Sequence, residues 1–449
     1  MKKTLSLILI ILLSFTLVSC RKKEFEFNDD SEINFMGNTF TIYSGTVFSD
    51  SWNLNDRKRG ENASTDRLID RIEEVEKNYN VKIYNESGNL QNKIFAMTMN
   101  GGGGCDMISC GNDILYDFYE LGILTPFSEI GVRDHEDVKF GIPSLLVEGT
   151  FGGVQYGIEH YLGDTVPGLC GLITVNMNLI KELSMTDPHE YVESGEWDWN
   201  NFKVELKKGT FDDGDIRHIG MISVNNLSAI RMFFPAIISN GGYIIKETDG
   251  IYKTGIFESN AIEAMEYITG LSDAGLIQVK GGDEETWVEG KTWPFIMDGG
   301  YTGYNDIEQS IVRFPYGPSG NPDIVASYSI NRDYYAFTML SSFSNDEIGI
   351  IVDDLLEPLD TSLYPEGWKD YAKENLFYND SDYETYITGL ESMNYYPIGV
   401  FYGTNAWNHK GEVEDALDNI LMGYGTAQAE LDSVKDILNK LIDEKLNDR

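Results

Sequence analysis

An alternation of strand and helix patterns between residues 38 and 109 restricts the fold of this chain more than any other feature of its sequence. Short apolar strand patterns cover residues 38–44, 81–84 and 106–109, and helical spacing of apolar residues covers residues 65–79 and 89–100. Two neighbouring strands that run in the same direction need a long connection, which is most often a helix. The order β-α-β-α-β therefore predicts a parallel sheet covered by helices, and hence an α/β fold.

The α/β pattern begins again in the second part of the chain. Residues 172–176 have the composition of a buried strand, and helical patterns follow at residues 200–208, 227–239, 260–271 and 427–446. At about 100–200 residues per domain, the 449 residues are enough for two large lobes or for two to three domains.

The first twenty residues predict export from the cytoplasm. Lys2 and Lys3 precede an apolar run of about 15 residues, which is shorter than the ~20 residues that span a bilayer. The run ends in Leu-Val-Ser before Cys20, which resembles the lipobox of bacterial lipoproteins. That resemblance implies that residues 1–19 are a signal peptide, that Cys20 is lipidated, and that residues 20–37 form a tether. We therefore expect an extracytoplasmic protein, lipid-anchored at the periplasmic or extracellular face of the cell membrane.

The charge balance excludes several kinds of partner. The chain has 34 Lys and Arg against 73 Asp and Glu, which gives a formal net charge of −39. Contacts to nucleic-acid phosphates need Lys or Arg, so we expect no nucleic-acid partner. For the same reason the acidic body as a whole should not bind an anionic membrane, although the basic residues 21–23 lie beside Cys20 and can meet anionic headgroups. The charge leaves an uncharged or cationic ligand.

Beyond Cys20 the chain has three cysteines, which are Cys105, Cys110 and Cys170. Cys105 and Cys110 flank a strand pattern, and an extended chain of this length separates their α-carbons by about 16 Å. A disulfide needs less than about 7 Å between α-carbons. We therefore expect buried free thiols and no disulfide framework.

Motifs for catalysis and for cofactor binding are incomplete. The five histidines include no pair at i, i+4, so a zinc site or a Ser-His-Asp site is not supported. Gly290-Lys291-Thr292 ends like a nucleotide-binding loop, but Glu285 occupies the position of the first glycine of such a loop. We therefore expect no cofactor, no metal and no enzymatic activity.

Short motifs along most of the chain point to one family. Residues 187–202 are similar to the pattern P-x-E-x-x-x-x-G-x-W-T-W-D-x-F, with Asp198 and Asn200 in place of Thr and Asp. Either residue can cap the following helix by accepting backbone N–H groups. Residues 157–158 and 174–179 are similar to Y-G-[IL]-P and Y-N-x-x-[LF], with Glu159 where proline is common.

Further motifs follow in the order of the same family. Residues 240–276 are similar to G-G followed by A-x-E-A-L-x-x-x-x-x-L-x-x-x-G-L, and residues 314–318 to P-x-P-x-G-P. Residues 290–303 are similar to F-x-x-G-K-x-A-M-x-x-x-G-x-W, with Trp293 in place of Ala and Tyr301 in place of Trp. Together with the lipobox, these segments resemble the extracellular solute-binding proteins of bacterial ABC importers, the maltose-binding-protein-like family.

The resemblance implies a periplasmic-binding-protein-like fold, in which two α/β lobes are joined by about three crossings at a hinge and enclose a ligand cleft. By the family's layout, the first lobe comprises residues 38–160 with about 291–326, and the second lobe comprises residues 161–290 with about 327–446. The resemblance also implies a function, namely the capture of a small solute and its delivery to the permease subunits of an ABC importer. We expect a monomer whose ligand is a sugar or an oligosaccharide.

The chemistry of sugars suggests which residues contact the ligand. A sugar ring stacks on aromatic side chains, its hydroxyls pair with short polar side chains, and α/β lobes bind ligands beyond the carboxyl ends of their strands. Trp197 and Trp199 are predicted to pack beside their helix instead. The predicted ligand-binding residues are Asp50, Trp52, Asn112, Asp113, Glu159, His160, Asn240, Trp287, Trp293, Asp298 and Tyr301.

Two alternatives to solute import stay open at this point. A secreted glycoside hydrolase needs only two carboxylates about 5–10 Å apart, and a chain with 73 acidic residues offers many pairs. A sensor-coupled binding protein, which passes ligand information to a membrane kinase, would carry the same sequence features.

Overall fold

The structure is a computed structural model of the chain. It describes residues 33–44, 58–61, 63–159, 169–214, 217–223, 229–279, 293–297, 308–328, 333–359, 367–393 and 411–447. Within these ranges the strands form two main sheets, each covered by helices, so the chain folds into two α/β lobes. No helix within these ranges is both long and apolar enough to cross a membrane.

The first lobe is built from the N-terminal part of the chain and a later return. Its strands are β1 (Thr39–Ser44), β2 (Lys82–Ser87), β3 (Met107–Gly111), β4 (Leu124–Thr125), the hairpin β5 (Thr150–Phe151) and β6 (Val154–Gln155), and β7 (Gly157–Ile158). Its helices are α1 (Ala63–Tyr79), α2 (Leu90–Met99) and α3 (Asn112–Glu120). Short 3-10 turns follow at Phe127–Glu129, Val138–Phe140, Pro143–Leu145 and Val147–Gly149.

The second lobe holds nine strands and nine helices among the described residues. The strands are β8 (Ile173–Asn176), β9 (Phe211–Asp212), β10 (Arg217–His218), β11 (Met221–Ser223), β12 (Ile245–Thr248), β13 (Ile251–Thr254), β14 (Ile277–Gln278), β15 (Phe295–Met297) and β16 (Gln309–Val312). The chain then returns to the first lobe as β17 (Asp333–Thr338) and as the helix α9 (Asn345–Leu355). The helices of the second lobe are α4 (Met177–Glu182), α5 (Pro188–Ser194), α6 (Trp199–Lys208), α7 (Ala229–Ser239), α8 (Ser259–Asp273), α10 (Gly367–Asn375), α11 (Asp380–Glu391), α12 (Glu412–Leu421) and α13 (Ala427–Ile442), with a π-helical turn at Asp443–Asn447.

The first sheet has the strand order β2-β1-β3-β17-β4, and β7 also pairs with β17. β1 is parallel to β2 and to β3, as the β-α-β-α-β pattern predicts. β17 is antiparallel to β3, with Asp333 opposite Gly111. Apolar side chains pack under α1 and α9 on one face of the sheet and under α2 and α3 on the other, so both faces are buried.

The second sheet has the strand order β14-β11-β15-β8-β16. β11 is parallel to β14 and β15, whereas β8 is antiparallel to β15 and β16. The main apolar core of this lobe lies between the sheet and the helices α7, α8, α12 and α13. α11 contributes Tyr386 and Leu390 to a smaller cluster with Ile311 of β16.

Two of the predicted lobe assignments are wrong. Residues 291–326 are expected in the first lobe, but β15 and β16 pair with β8 in the second sheet. Residues 327–446 are all expected in the second lobe, but β17 pairs with β3 and β4 in the first sheet and α9 packs on α1. The described chain changes lobes three times, between residues 159 and 169, 328 and 333, and 359 and 367.

The tryptophan pair packs in the core, as predicted. Asp198 caps α6, because its carboxylate accepts N–H groups from the first turn of the helix. Trp197 is 2% exposed, and its Nε1 donates to the carbonyl oxygen of Arg313 at 2.8 Å. The ring of Trp199 stacks on Tyr267 with a centroid distance of 4.2 Å. Both rings therefore hold α6 in place.

The three cysteines that the structure describes are free thiols. Cys105 and Cys110 are buried, as predicted, and Cys170 is partly buried. Burial raises the pKa of the Cys105 thiol, because the thiolate would lose its hydration. These two buried thiols act as small apolar residues of the first core.

Candidate functional site

The connections between the lobes join the carboxyl edges of the two sheets. The chain leaves the first sheet after Ile158 in β7, which runs in the same direction as β3. It enters the second sheet at Ile173, and because β8 is antiparallel to β15, this end of β8 lies at the carboxyl edge of the parallel strands. It returns at Asp333, opposite Gly111 at the carboxyl end of β3. Both carboxyl edges, where α/β lobes bind ligands, thus lie on the side where the lobes are joined.

Two of the connecting segments run side by side. The N–H of Cys170 donates to the carbonyl of Tyr328 at 2.9 Å, and the N–H of Tyr328 donates to the carbonyl of Cys170 at 3.0 Å. Gly171 has a φ angle of 100°, and a Cβ atom at this position would lie 2.1 Å from the carbonyl oxygen of Ala326. Only glycine fits this contact. These paired segments are the described part of the hinge.

A row of short polar side chains crosses the carboxyl ends of the first three strands. Ser44 of β1 is in register with Ser87 of β2 and with Ser109 of β3. The amide of Asn85 donates to the hydroxyl of Ser44 at 3.1 Å. Ser109 is fully buried, and its hydroxyl has no hydrogen-bond partner among the described residues. Ser44 and Asn85 are buried too, so within this row only Ser87 is exposed at the carboxyl edge.

Sequence reasoning missed this row, although part of its signal was visible. The first and third strand patterns end in serine, at Ser44 and Ser109. A serine at the end of one strand is common at turns and indicates nothing by itself. The serines form a row only because three neighbouring strands pair in this register, and only the structure provides that register.

Asn112 and Asp113 lie where the sequence predicts, directly after the third strand. β3 ends at Gly111, which is the N-cap residue of α3. The backbone of the next two residues forms the first turn of α3 at the carboxyl edge of the first sheet. The structure does not describe their side chains, so their ligand contacts stay a prediction.

Glu159 lies at the same edge. It follows β7 directly, its side chain is partly buried, and its N–H donates to the carbonyl of Phe140 at 3.1 Å. This position at the first connection between the lobes is the predicted one. A carboxylate here can accept hydrogen bonds from hydroxyl groups, and its contact with ligand stays a prediction.

Asn240 is a structural residue and does not line the cleft. Its side chain is fully buried. The amide nitrogen donates to the carbonyl of Asn260 at 2.8 Å and to the carboxylate of Glu263 at 2.9 Å, and the amide oxygen accepts the N–H of Ser319 at 3.0 Å. These bonds join the end of α7 to the start of α8 and use both amide protons. The predicted ligand contact is corrected accordingly.

Trp293 is a core residue as well. It is fully buried and packs in a cluster with Ile219, Ile222 and Ile296. It precedes β15 and therefore lies at the amino edge of the second sheet, opposite the connections between the lobes. The carboxyl end of β15 is reached only at Met297. Strand direction thus removes Trp293 from the candidate site.

The other predicted ligand-binding residues lie outside the described residues. In the sequence, two of them follow β1 and two follow β15, and both strands run toward a carboxyl edge. Cys20 and the rest of residues 1–32 also lie outside the described ranges. The undescribed ligand-binding residues are Asp50, Trp52, His160, Trp287, Asp298 and Tyr301.

A His-Asp-Ser cluster in the second lobe is not arranged for nucleophilic catalysis. The ring nitrogens of His189 contact the carboxylates of Asp187 at 2.8 Å and Asp382 at 2.9 Å. Ser310 donates to Asp382 at 2.6 Å and is fully buried. Burial lowers the pKa of His189, but hydrogen bonds to the two carboxylates outweigh it and raise the pKa to about 10. A charged imidazole cannot accept the serine proton at neutral pH.

The described residues also offer no arrangement for a metal centre. Within the described ranges, no group of three or more His, Cys, Asp and Glu side chains is placed to hold a metal ion. The described part of the carboxyl edges instead carries hydroxyl, amide and carboxylate groups, at Ser44, Asn85 and Glu159. Such groups suit hydrogen bonding to a polar, uncharged ligand.

Comparison with known proteins relates this geometry to a class of proteins. No protein-family model matches the sequence, and no curated protein is similar to it in sequence. An ABC substrate-binding protein from Listeria monocytogenes, solved in complex with cycloalternan, is 15% identical; the match covers 90% of this chain and 98% of that chain, with a TM-score of 0.58.

Two further solved structures show the same architecture. The GacH receptor of Streptomyces glaucescens, solved unliganded and with acarbose, is 13% identical, and the match covers 91% of this chain and 99% of that chain with a TM-score of 0.62. The maltose/maltodextrin-binding domain MalE of Bdellovibrio bacteriovorus, bound to maltotriose, is 15% identical, with coverages of 90% and 99% and a TM-score of 0.60. The chain therefore has the two-lobe fold of the ABC substrate-binding proteins, as the sequence resemblance implies.

Proposed function

We propose that this protein is the solute-binding component of an ABC importer and that it binds an oligosaccharide between its lobes. The observation that carries the proposal is the geometry of the connections between the lobes. They join the carboxyl edges of two separately folded α/β sheets, so that both lobes turn the edge at which such sheets bind ligands toward one cleft.

Two observations and one prediction support a carbohydrate ligand. The similar structures were solved with cycloalternan, acarbose or maltotriose. The described edge of the first lobe carries serine and asparagine side chains, which match the hydrogen-bonding groups of sugars. The predicted site adds Trp52 and Tyr301, whose rings can stack on the apolar face of a sugar.

The proposal includes a lipid anchor at Cys20 and delivery to a permease, and no catalysis. The lipobox-like sequence before Cys20 supports the anchor. Delivery requires that the ligand stabilises one of two arrangements of the lobes, so that the permease meets a different shape when the cleft is filled. The paired segments at Cys170 and Tyr328 provide a narrow hinge for such a change.

Titration calorimetry against a panel of ligands tests the proposal. The panel contains maltotriose, acarbose, cycloalternan, single amino acids and short peptides. We expect saturable one-to-one binding of at least one saccharide. Truncation by Trp52→Ala or Tyr301→Ala should weaken that binding by about tenfold, because an aromatic ring contributes about 0.5–1.5 kcal/mol beyond the area it buries.

Tyr424→Ala is the matched control, because this tyrosine is 77% exposed in the second lobe and away from the carboxyl edges. It should leave saccharide affinity unchanged. Binding of amino acids or peptides without any saccharide would contradict the proposed ligand class. Turnover of a glycoside that is lost on substitution of a carboxylate pair would replace the proposal with a glycoside hydrolase.

A further inference from the structure

One edge of the first lobe differs in charge from the rest of the protein. The segments 33–38, 77–82, 95–105 and 338–343 form the amino edge of the first sheet. They contain two lysines and no aspartate or glutamate, in a chain with 73 acidic residues. Both lysines, Lys77 and Lys82, are exposed. Two acidic residues border the segments. Glu76 is partly exposed and its carboxylate accepts the N–H of Ile83, whereas Asp106 is fully buried and its carboxylate accepts from the N–H of Thr41 and the hydroxyl of Ser341. We call the four segments the acid-free edge.

Large apolar side chains are exposed on the acid-free edge. Met36 is 86% exposed, Met99 is 71%, Met339 is 63% and Phe95 is 51%. Phe95 and Met99 are four residues apart on α2 and therefore share one face of that helix. Single exposed apolar residues are ordinary, but several on one edge of a soluble lobe mark an interaction surface.

Direct contacts make the acid-free edge one continuous surface. Three contacts join its segments: the N–H of Gly104 with the carbonyl of Leu340 at 2.9 Å, the N–H of Gly37 with the carbonyl of Asn80 at 2.7 Å, and the ring of Phe35 with that of Phe343 at 5.5 Å between centroids. The exposed methionines and Phe95 thus belong to neighbouring turns. Methionine side chains are flexible and polarisable, and they adapt to irregular apolar surroundings.

We propose that the acid-free edge lies on the surface of the anionic phospholipid bilayer to which the protein is anchored. The chain enters the first lobe at this edge, since Phe35 packs on Phe343 and its N–H donates to the carbonyl of Tyr79. Cys20 precedes Ile33 by 13 residues, and such a segment reaches at most about 43 Å. The proposal rests on the lipid anchor of the proposed function, which holds this edge within reach of the bilayer.

The chemistry of the edge suits a bilayer surface better than it suits another acidic protein. Apolar side chains enter the boundary between headgroups and acyl chains, and lysines attract anionic headgroups. The acid-free edge meets less like-charge repulsion there than the rest of a protein of net charge −39 would. It lies at the opposite ends of the strands from the carboxyl edge, so this contact leaves the candidate cleft open to the medium.

Fluorescence quenching tests the proposal on the processed, lipidated protein. It is reconstituted into vesicles of phosphatidylglycerol and phosphatidylcholine that contain a spin-labelled lipid, with a fluorophore attached at Met99→Cys. The matched probe is Ile251→Cys, an apolar residue of the second lobe that is 51% exposed. We expect about threefold stronger quenching at position 99, because interfacial side chains lie about 5–10 Å inside the headgroup boundary. Equal quenching at the two positions would overturn the proposal.

A second variant shows whether the side chains of the acid-free edge contact the bilayer or whether the lipid anchor alone holds the protein near it. Phe95→Asp combined with Met339→Asp places charge on the edge at two exposed positions, so folding and saccharide affinity should be unchanged. Quenching at position 99 should then fall to the level at position 251. Retained strong quenching would contradict a role for these side chains. The unsubstituted protein, labelled in parallel, corrects for reaction at Cys170.

The same protein samples show which proposal is wrong if quenching is weak: the lipid anchor at Cys20 or the bilayer contact of the acid-free edge. Mass spectrometry of the processed protein shows whether Cys20 carries acyl chains. If it carries none, the anchor in the proposed function is wrong, and the unanchored protein is sedimented with the same vesicles. Sedimentation that the two aspartate substitutions abolish would then still support the acid-free edge, and sedimentation indifferent to them would overturn it.

Discussion

At the residue scale, His189 is a charged side chain in the interior of the second lobe. Its pKa is the result of two opposing effects, in which burial lowers it and hydrogen bonds to Asp187 and Asp382 raise it to about 10. The ordinary value in an unfolded chain is about 6.5. Because the folded-state pKa is the higher one, the stabilisation is fully present below pH 6.5 and is lost as the pH rises through about 10.

His189→Gln should therefore destabilise the protein in a pH-dependent way. Removing one partner from a buried charged pair typically costs about 3 kcal/mol, so we expect a loss of this size in the free energy of unfolding at pH 6. The difference from the unsubstituted protein should shrink toward pH 10. Urea unfolding at a series of pH values measures it. His135→Gln is the control, since the described hydrogen bond of His135 is to the carbonyl of Ile130.

A loss of stability at His189→Gln that is the same at pH 6 and at pH 10 would contradict this account. It would mean that the ring contributes through packing and neutral hydrogen bonds rather than through its charge.

A substitution of Asn240 can show whether this residue stabilises the second lobe, as the structure indicates, or binds ligand, as the sequence predicts. Asn240→Ala removes three hydrogen bonds that join α7, α8 and the segment around Ser319. We expect the free energy of unfolding to fall by about 2–3 kcal/mol, because a fully buried side chain loses three hydrogen bonds of about 1 kcal/mol each. Saccharide affinity, measured by calorimetry below the unfolding transition, should not change. Weakened binding with unchanged stability would restore Asn240 to the cleft.

At the scale of the elements, the paired connecting segments depend on one glycine. Gly171→Ala would place a Cβ atom against the carbonyl of Ala326 in a backbone conformation that alanine rarely adopts. We expect a loss of about 3 kcal/mol in the free energy of unfolding, together with weaker saccharide binding, because the hinge geometry must change.

Gly270→Ala is the matched control for Gly171→Ala. Gly270 lies inside α8, and a Cβ atom there would meet nothing within 4 Å. Alanine should stabilise this helix by up to about 1 kcal/mol. Thermal unfolding and calorimetry of both variants give the comparison. Equal behaviour of the two variants would show that the connection at Gly171 tolerates a side chain.

Local patterns predicted the elements well, and long-range pairing was not predictable from them. The strands at β1, β2, β3 and β8, the cap at Asp198 and the packing of Trp197 all follow from nearby residues. The lobe to which β17 belongs does not, because its apolar run would be buried in either sheet. A buried ion pair between Lys139 and Asp353 at 2.9 Å helps to hold α9 in the first lobe, and neither residue stands out in the sequence.

In the candidate site, too, local features were predictable from the sequence and features that depend on long-range pairing were not. Asn112 and Glu159 lie at the carboxyl edge because a strand end is visible in the sequence. Trp293 and Asn240 were misplaced because an aromatic or amide side chain in a suitable motif does not reveal strand direction or burial. The serine row was missed because it depends on the register of three strands.

At the scale of the whole molecule, we propose different roles for the two edges of the first sheet. The carboxyl edge faces the junction of the lobes and carries the candidate ligand groups. The amino edge receives the N-terminal segment, and its segments 33–38, 77–82, 95–105 and 338–343 contain no aspartate or glutamate. The net charge of −39 therefore describes the protein as a whole and not this edge. Separation of the two edges would let one molecule stay near a membrane while its cleft samples the medium.

Energy transfer between fluorophores on the two lobes tests the central claim most directly. One fluorophore is attached at Met99→Cys and the other at Ile251→Cys, in the first and second lobes respectively, and saccharides are titrated into the unanchored protein. We predict a saturable change in transfer with one-to-one stoichiometry and the same midpoint as the calorimetric titration, because ligand in the cleft stabilises one arrangement of the lobes. Saccharide binding without any change in transfer, or hydrolysis of the saccharide, would contradict the account.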